Sequence, residues 1–126
     1  LGIADRVHFL GFQADANNFY NSLDAFVLSS DSEGLANVIL EALIIGLPCI
    51  ATAVGGNPEV LENVGILVPP GSINLMAQAM RELLLPEQRA FFAQASAAAA
   101  HRFDMMATAS QYRELYDQLL YHHRIQ

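Results

Sequence analysis

Two glutamates, Glu33 and Glu41, stand on either side of a junction between an apolar strand and a helix. The segment Ser30-Asp31-Ser32-Glu33-Gly34-Leu35-Ala36-Asn37-Val38-Ile39-Leu40-Glu41-Ala42 leaves the strand, breaks at Gly34 and enters the helix. Amide N–H groups at a helix start lack intrahelical partners and attract an anion, and α/β folds bind ligands in the crevice beyond the carboxyl ends of their parallel strands. A phosphorylated ligand is the natural occupant. Glu33 lies before the helix and Glu41 about two turns inside it, so the two reach different parts of a long ligand rather than sharing one proton. Carboxylates accept hydrogen bonds from hydroxyls, and a sugar and a ribose at opposite ends of a diphosphate would supply them. The residues alone leave a blander reading open, in which Glu33 solvates a loop and Glu41 a helix surface.

A second loop, Ala53-Val54-Gly55-Gly56-Asn57-Pro58-Glu59, also leaves a strand and opens a helix. A double glycine is often just a turn, but this one emerges on the side where Glu33 does and is placed to line the same cleft. It is not the G-x-G-x-x-G dinucleotide fingerprint. Ser29 and Ser30 have no G-x-S-x-G elbow around them and no local histidine base, which argues against a serine hydrolase. The four histidines, His8 in an expected edge strand, His101 in a helix and His122-His123 near a solvated end, have no zinc spacing. The lone Cys49 excludes an intrachain disulfide and a cysteine-rich metal site, and reads as a small buried hydrophobe.

The elements that must position these residues alternate. Strands are expected at Val7–Leu10, Ala25–Ser29, Cys49–Thr52 and Ile66–Val68, and helices at Asn17–Leu23, Ala36–Ile45 and Asn57–Glu62. That order is the pattern of a parallel α/β sheet. Gly46-Leu47-Pro48 should end the second helix, glycine by entering the left-handed region and proline by refusing to continue. After Pro69-Pro70-Gly71 the chain turns wholly helical, with one helix capped by Ser72 or Asn74 and running to Leu85, a second from Pro86 through the alanine run to Ala100, and a third from Met105 to Leu120. The alanine run favours helix and permits close packing, and the apolar content of these helices fits docking against another domain.

With 126 residues the chain is the length of one domain with a real core. Six basic residues and a formal charge of −7 argue against a nonspecific nucleic-acid binder and against unaided binding to an anionic membrane. No apolar run reaches spanning length. The chain begins at Leu1 rather than methionine, which suggests a processed, excised or truncated product.

The ordered set of Glu33-Gly34 with Glu41 (an E-x7-E pattern), Gly46-Leu47-Pro48, Gly55-Gly56 with Pro58-Glu59, and Gly65-Ile66-Leu67-Val68 with Pro70-Gly71 resembles the C-terminal half of a family 4 (group 1) retaining glycosyltransferase. The resemblance runs from Arg6-Val7-His8-Phe9-Leu10-Gly11 to the closing helices. It implies the GT-B architecture of two Rossmann-like domains, with residues 1–126 a single partial nucleotide-sugar-binding domain: an α/β fold with a partial doubly wound parallel sheet and three C-terminal helices. By resemblance, Glu33 is the catalytic-centre carboxylate that positions donor-sugar hydroxyls rather than acting as nucleophile or base, and Glu41 binds the ribose. Amides near Gly34, Leu35, Ala36 and Asn37 would meet the diphosphate or sugar, Gly55 and Gly56 shape the cleft wall, and Phe12 approaches the nucleobase. The donor is a nucleotide-diphosphate sugar, the acceptor a glycan, lipid or small molecule, and neither a cofactor nor an essential metal is implied. Ala36 stands where the family often has proline or another small residue.

The resemblance also marks what is not matched. Two strands, a pair of diphosphate-gripping basic residues and the acceptor-binding N-terminal domain have no counterpart here. In the 3-2-1-4-5-6 order the segment Val7–Leu10 would then have no native neighbour, and is expected to pair elsewhere, fray or be completed by another chain. The expectation is an enzyme whose isolated fragment is inactive, cytoplasmic, with the full-length protein able to contact a membrane and self-association open. The rivals are a noncatalytic interaction or structural module that kept the fold, and a nucleotide-sugar epimerase, which would need a base or cofactor loop that is not visible.

Overall fold

A computed structural model describes residues 2–123, apart from the side chains of His122 and His123. The order of elements is α1 (Ala16–Asn21), β1 (Phe26–Leu28), α2 (Asn37–Ile44), β2 (Cys49–Thr52), α3 (Asn57–Leu61), β3 (Ile66–Val68), α4 (Ile73–Glu82), α5 (Pro86–Ala99) and α6 (Met105–His123), with 3-10 turns at Ala4–Arg6 and Ala100–Phe103. The strands form one parallel sheet in the order β1-β2-β3, registered Phe26 to Cys49, Val27 to Ile50, Ile50 to Ile66 and Thr52 to Val68.

Side chains alternate across a strand, and β2 divides its residues accordingly. Cys49 and Ala51 enter a core built with Ile39, Ala42 and Leu43 of α2 and Val60 and Leu61 of α3. Ile50 enters a second core with Val68, Ala79 and Leu83, which α4 closes on the opposite face. All four residues of β2 are buried, as expected of a central parallel strand covered on both faces. Each fully buried aliphatic side chain, such as Ile39, Leu43, Ile50 or Leu61, contributes roughly 1.5–3 kcal/mol.

Helix α2 ends as its sequence requires. Gly46 takes φ +81°, its N–H bonds to the Leu43 carbonyl and the Leu47 N–H to that of Ala42, both at 2.9 Å, a Schellman closure. A Cβ on Gly46 would stand 3.5 Å from that of Ala97, so the alanine-rich α5 lies close against the end of α2. Pro86 opens α5 at its first turn. Ser72 occupies the cap position of α4, but its side chain makes no capping bond; Asn74 lies inside the helix.

One expected strand is absent. Val7–Leu10 forms no ladder, and Phe9 and Phe12 are almost fully exposed. A strand exists only through its partner's hydrogen bonds, and no strand lies beside this segment among the described residues. That outcome follows the topological argument rather than local propensity, and it leaves His8 exposed in an irregular segment rather than on a sheet edge. His101 falls in the 3-10 turn instead of a regular helix, its Nδ1 2.7 Å from the Ala98 carbonyl oxygen. The expectation for His122 and His123 concerns side chains outside those described. No described helix is long and apolar enough to cross a membrane. Among the described side chains, none of α6 joins either core, and Met105, Tyr112, Tyr116 and Leu120 are exposed on it.

Candidate functional site

The loops that follow the three strands meet at the sheet's C-terminal edge, and β2 ties the first of them down. Thr52, the last residue of β2, donates its hydroxyl to the Ser30 carbonyl at 2.6 Å. The Ser30 hydroxyl in turn donates to Glu33 Oε1 at 2.6 Å, a charge-assisted bond that orients this half-buried carboxylate.

The two glycine loops lock together. The Gly56 N–H donates to the Gly34 carbonyl at 2.7 Å. Gly55 has φ +54°, and a Cβ there would collide with the Glu33 carbonyl oxygen and stand 2.6 Å from that of Gly34. Only a residue without a side chain accepts both that backbone conformation and that approach. A Cβ on Gly56 would meet Leu35 Cδ1 at 3.0 Å, so Leu35, otherwise exposed, leans on the same loop. Beneath them Asn57 is fully buried and its Nδ2 donates to the Thr52 carbonyl at 3.0 Å, while its Oδ1 has no protein partner among the described residues.

Helix α2 begins one residue after the expected Ala36, which is buried in the core instead. No side chain caps this start. The Ile39 N–H bonds back to the Ala36 carbonyl at 3.0 Å, which leaves the first-turn N–H groups of Asn37 and Val38 to meet an anion.

Glu41 lies on the second turn of α2, exposed, with Oε2 accepting a 2.8 Å hydrogen bond from the Tyr20 hydroxyl. Asp15 holds the start of α1 by accepting from the Asn18 N–H at 3.0 Å. The buried Tyr20 ring packs between Phe19 and Phe26, at centroid distances of 5.7 and 5.8 Å. Burial, and then the hydrogen bond and charge of Glu41, push the Tyr20 phenol up to about 12, so it remains a donor across the physiological range. A cavity of about 240 Å³ beside Glu41 includes Ala16, Asn17 and Tyr20 in its wall. A wider one of about 630 Å³ carries Phe12, Gly11 and Phe19 and shares Ala16 and Tyr20 with the first.

The structure thus gathers Glu33, Gly34, Leu35, Gly55 and Gly56 around one loop contact, places Ala36 and Asn37 at the adjoining helix start, and links Glu41 to Phe12 through the α1 wall. A further cavity of about 310 Å³, on the α4 side of the strand ends, is lined by Ser29, Asp31, Thr52, Ser72 and Met76 and by neither glutamate. Among the described residues no group of three or more His, Cys, Asp or Glu side chains is gathered to hold a metal. Burial pushes the Cys49 thiol up to about 12, which leaves it a packed neutral group.

Three residues in this arrangement carry no signal in the sequence. Tyr20 reads as one more aromatic on a short helix, and Thr52 as the last residue of a strand. Asn57 reads as part of a turn. Their partners, Glu41, Ser30 and the Thr52 backbone, are set by tertiary packing.

Residues 1–85 match the family model described as glycosyl transferases group 1. N-acetyl-alpha-D-glucosaminyl L-malate synthase of Bacillus anthracis is 35% identical over 124 residues, an alignment covering 95% of this chain and 32% of that enzyme. D-inositol 3-phosphate glycosyltransferase of Mycobacteroides abscessus is 34% identical, covering 98% of this chain and 29% of that one. Among solved structures, sucrose-phosphate synthase from Thermosynechococcus elongatus superposes with TM-score 0.82 at 34% identity, over 94% of this chain and 31% of that one. Anabaena HepE in complex with UDP-glucose superposes with TM-score 0.80 at 32% identity, over 94% of this chain and 34% of that one. The chain therefore spans about a third of the length of these proteins. The parallel sheet flanked by helices matches the GT-B architecture of these structures, and the chain belongs to the group 1 glycosyltransferases.

Proposed function

We propose that residues 1–126 are a partial Rossmann-like domain forming the nucleotide-sugar side of a retaining glycosyltransferase active site. The observation that carries this reading is the lock between the Glu33-Gly34 and Gly55-Gly56 loops, which holds a carboxylate and the uncapped start of α2 at the C-terminal edge of a parallel sheet. Glu33 hydrogen-bonds donor-sugar hydroxyls. The amides of Gly34, Leu35, Ala36 and Asn37 meet the diphosphate, where negative charge grows as the leaving group departs and fixed donors stabilise the transition state. Glu41 takes the ribose, Phe12 lies against the nucleobase, and Gly55 and Gly56 form the wall. UDP and UDP-glucose, which HepE binds in its solved structures, set the donor class to test first.

The acceptor domain, the strands beside β1 and the basic residues that would counter the diphosphate lie outside this chain. The exposed face of α6 is where that missing domain docks. Lacking those parts, the isolated chain does not exclude water or neutralise the donor and is inactive. The working location is the cytoplasm, where nucleotide sugars are made.

The test is calorimetric titration of the full-length enzyme with UDP, GDP and ADP, and with the sugar conjugate of the one that binds most tightly. Glu41→Gln should weaken the nucleoside diphosphate and its conjugate alike, whereas Glu33→Gln should weaken only the conjugate. Loss of both ligands to the same degree in both variants, or no binding by the wild type, would overturn the assignment.

A further inference from the structure

We infer that Tyr20 is a positioning residue for ribose recognition, acting through Glu41; the inference rests on the ribose role proposed above. Glu41 projects from the second turn of α2 at an exposed position, where a glutamate side chain has three rotatable bonds and no packing to choose among its rotamers. An unheld carboxylate must be ordered by its ligand, and the loss of that freedom is charged against binding. Tyr20 removes the problem from the protein side. Its hydroxyl donates to Oε2 at 2.8 Å, while its ring is buried between Phe19 and Phe26 and cannot swing away.

The bond has a second consequence. With the Tyr20 hydroxyl on Oε2, the carboxylate keeps Oε1 and its remaining lone pairs to accept from a ligand entering the cavity of about 240 Å³ that both residues line. Tyr20 also lines the cavity that carries Phe12. One rigid side chain therefore stands in the wall of the proposed nucleobase pocket and the proposed ribose pocket, and sets the spacing between them. The ligand chemistry that this geometry selects is a vicinal diol attached to a base, with one hydroxyl donating to the free carboxylate oxygen.

The experiment compares wild type, Tyr20→Phe, Glu41→Gln and the double variant of the full-length enzyme. Each is titrated with the tightest of UDP, GDP and ADP and with its 2′-deoxy and 3′-deoxy forms. Phenylalanine keeps the ring packing and removes only the hydroxyl, and Glu41 is exposed enough to be rehydrated, so the thermal midpoint should stay within about 2 °C. Tyr20→Phe should lower affinity for the ribonucleotide about three- to tenfold and leave that for one deoxy form unchanged, collapsing the preference for ribose as Glu41→Gln does. In the double variant the two losses should not add. If Glu41→Gln abolishes the preference while Tyr20→Phe keeps it, Tyr20 is only a core aromatic and the inference is wrong while the ribose role stands. If Glu41→Gln also keeps the preference, the ribose role fails and takes this inference with it.

Discussion

Replacing Gly55 by alanine should unseat the loop that carries Glu33, and Gly71 provides the measure of how much of the damage is steric. Both glycines have positive φ, +54° and +72°. A side chain in that region costs about 1–2 kcal/mol, of which about 0.4–1 kcal/mol is recovered because alanine restricts the unfolded chain. At Gly71 nothing lies within 4 Å of the added carbon, so Gly71→Ala should cost only this difference, about 1 kcal/mol. At Gly55 the same carbon falls on the Glu33 carbonyl oxygen and 2.6 Å from the Gly34 carbonyl oxygen. Backbone cannot rotate aside as a flexible side chain can. The two loops must part, breaking the 2.7 Å bond from the Gly56 N–H to the Gly34 carbonyl, worth about 1 kcal/mol, and overpacking adds about 1–3 kcal/mol. Gly55→Ala should therefore cost about 2–4 kcal/mol more than Gly71→Ala, or about 3–5 kcal/mol in all, a large share of the roughly 5–15 kcal/mol that holds a domain. Urea unfolding of the full-length enzyme, followed on the transition of this domain, reads the difference as a shift in midpoint at constant slope. The displaced Glu33 should also lose donor affinity, which Gly71→Ala should leave intact. A Gly55→Ala variant within about 0.5 kcal/mol of Gly71→Ala would refute the argument that the loops are locked by close approach.

Two further outcomes follow from buried groups. Cys49 is 1% exposed and its Sγ lies 3.3 Å from the Leu47 carbonyl, so a thiol reagent at about pH 8 should leave it untouched in the folded protein and label it fully in denaturant; rapid native labelling would show the core assignment to be wrong. Tyr20 and Cys49 both have folded-state values near 12, raised from 10.0 and 9.0, chiefly by burial. Groups raised in this way contribute stability that is complete below their unfolded values and is lost as pH rises through the folded ones, so the domain should weaken from about pH 9 toward pH 12. In Tyr20→Phe the part of that decline above pH 10 should shrink, and an unchanged alkaline profile would count against a buried phenol.

Much of the architecture follows from local sequence. Apolar runs at Phe26–Leu28, Cys49–Thr52 and Ile66–Val68, each followed by a helix, admit little besides a parallel sheet, because parallel neighbours need crossovers. The end of α2 was legible at Gly46-Leu47-Pro48, since glycine closure and proline exclusion are properties of single residues. The adjacency of Glu33 to Gly34 and the placement of Glu41 on the second turn of a helix are likewise matters of chain order.

Val7–Leu10 shows where such reading stops. Its residues suit a strand as well as those of β1 do, yet a strand is a property of a pair, and no partner lies beside it among the described residues. The same holds for the contacts that organise the proposed site. Tyr20 reaches Glu41 across 21 positions and Thr52 reaches Ser30 across 22, and Gly55 lies against the Glu33 carbonyl only because two loops leave neighbouring parallel strands at the same edge. Sequence alone determined which residue types are present and which short segments could be strand, turn or helix, because dihedral preference and burial period act within a few residues. The tertiary structure decided which of them meet, because hydrogen bonds and steric exclusion depend on distance in space, and only the sheet brings those distances to a few ångströms.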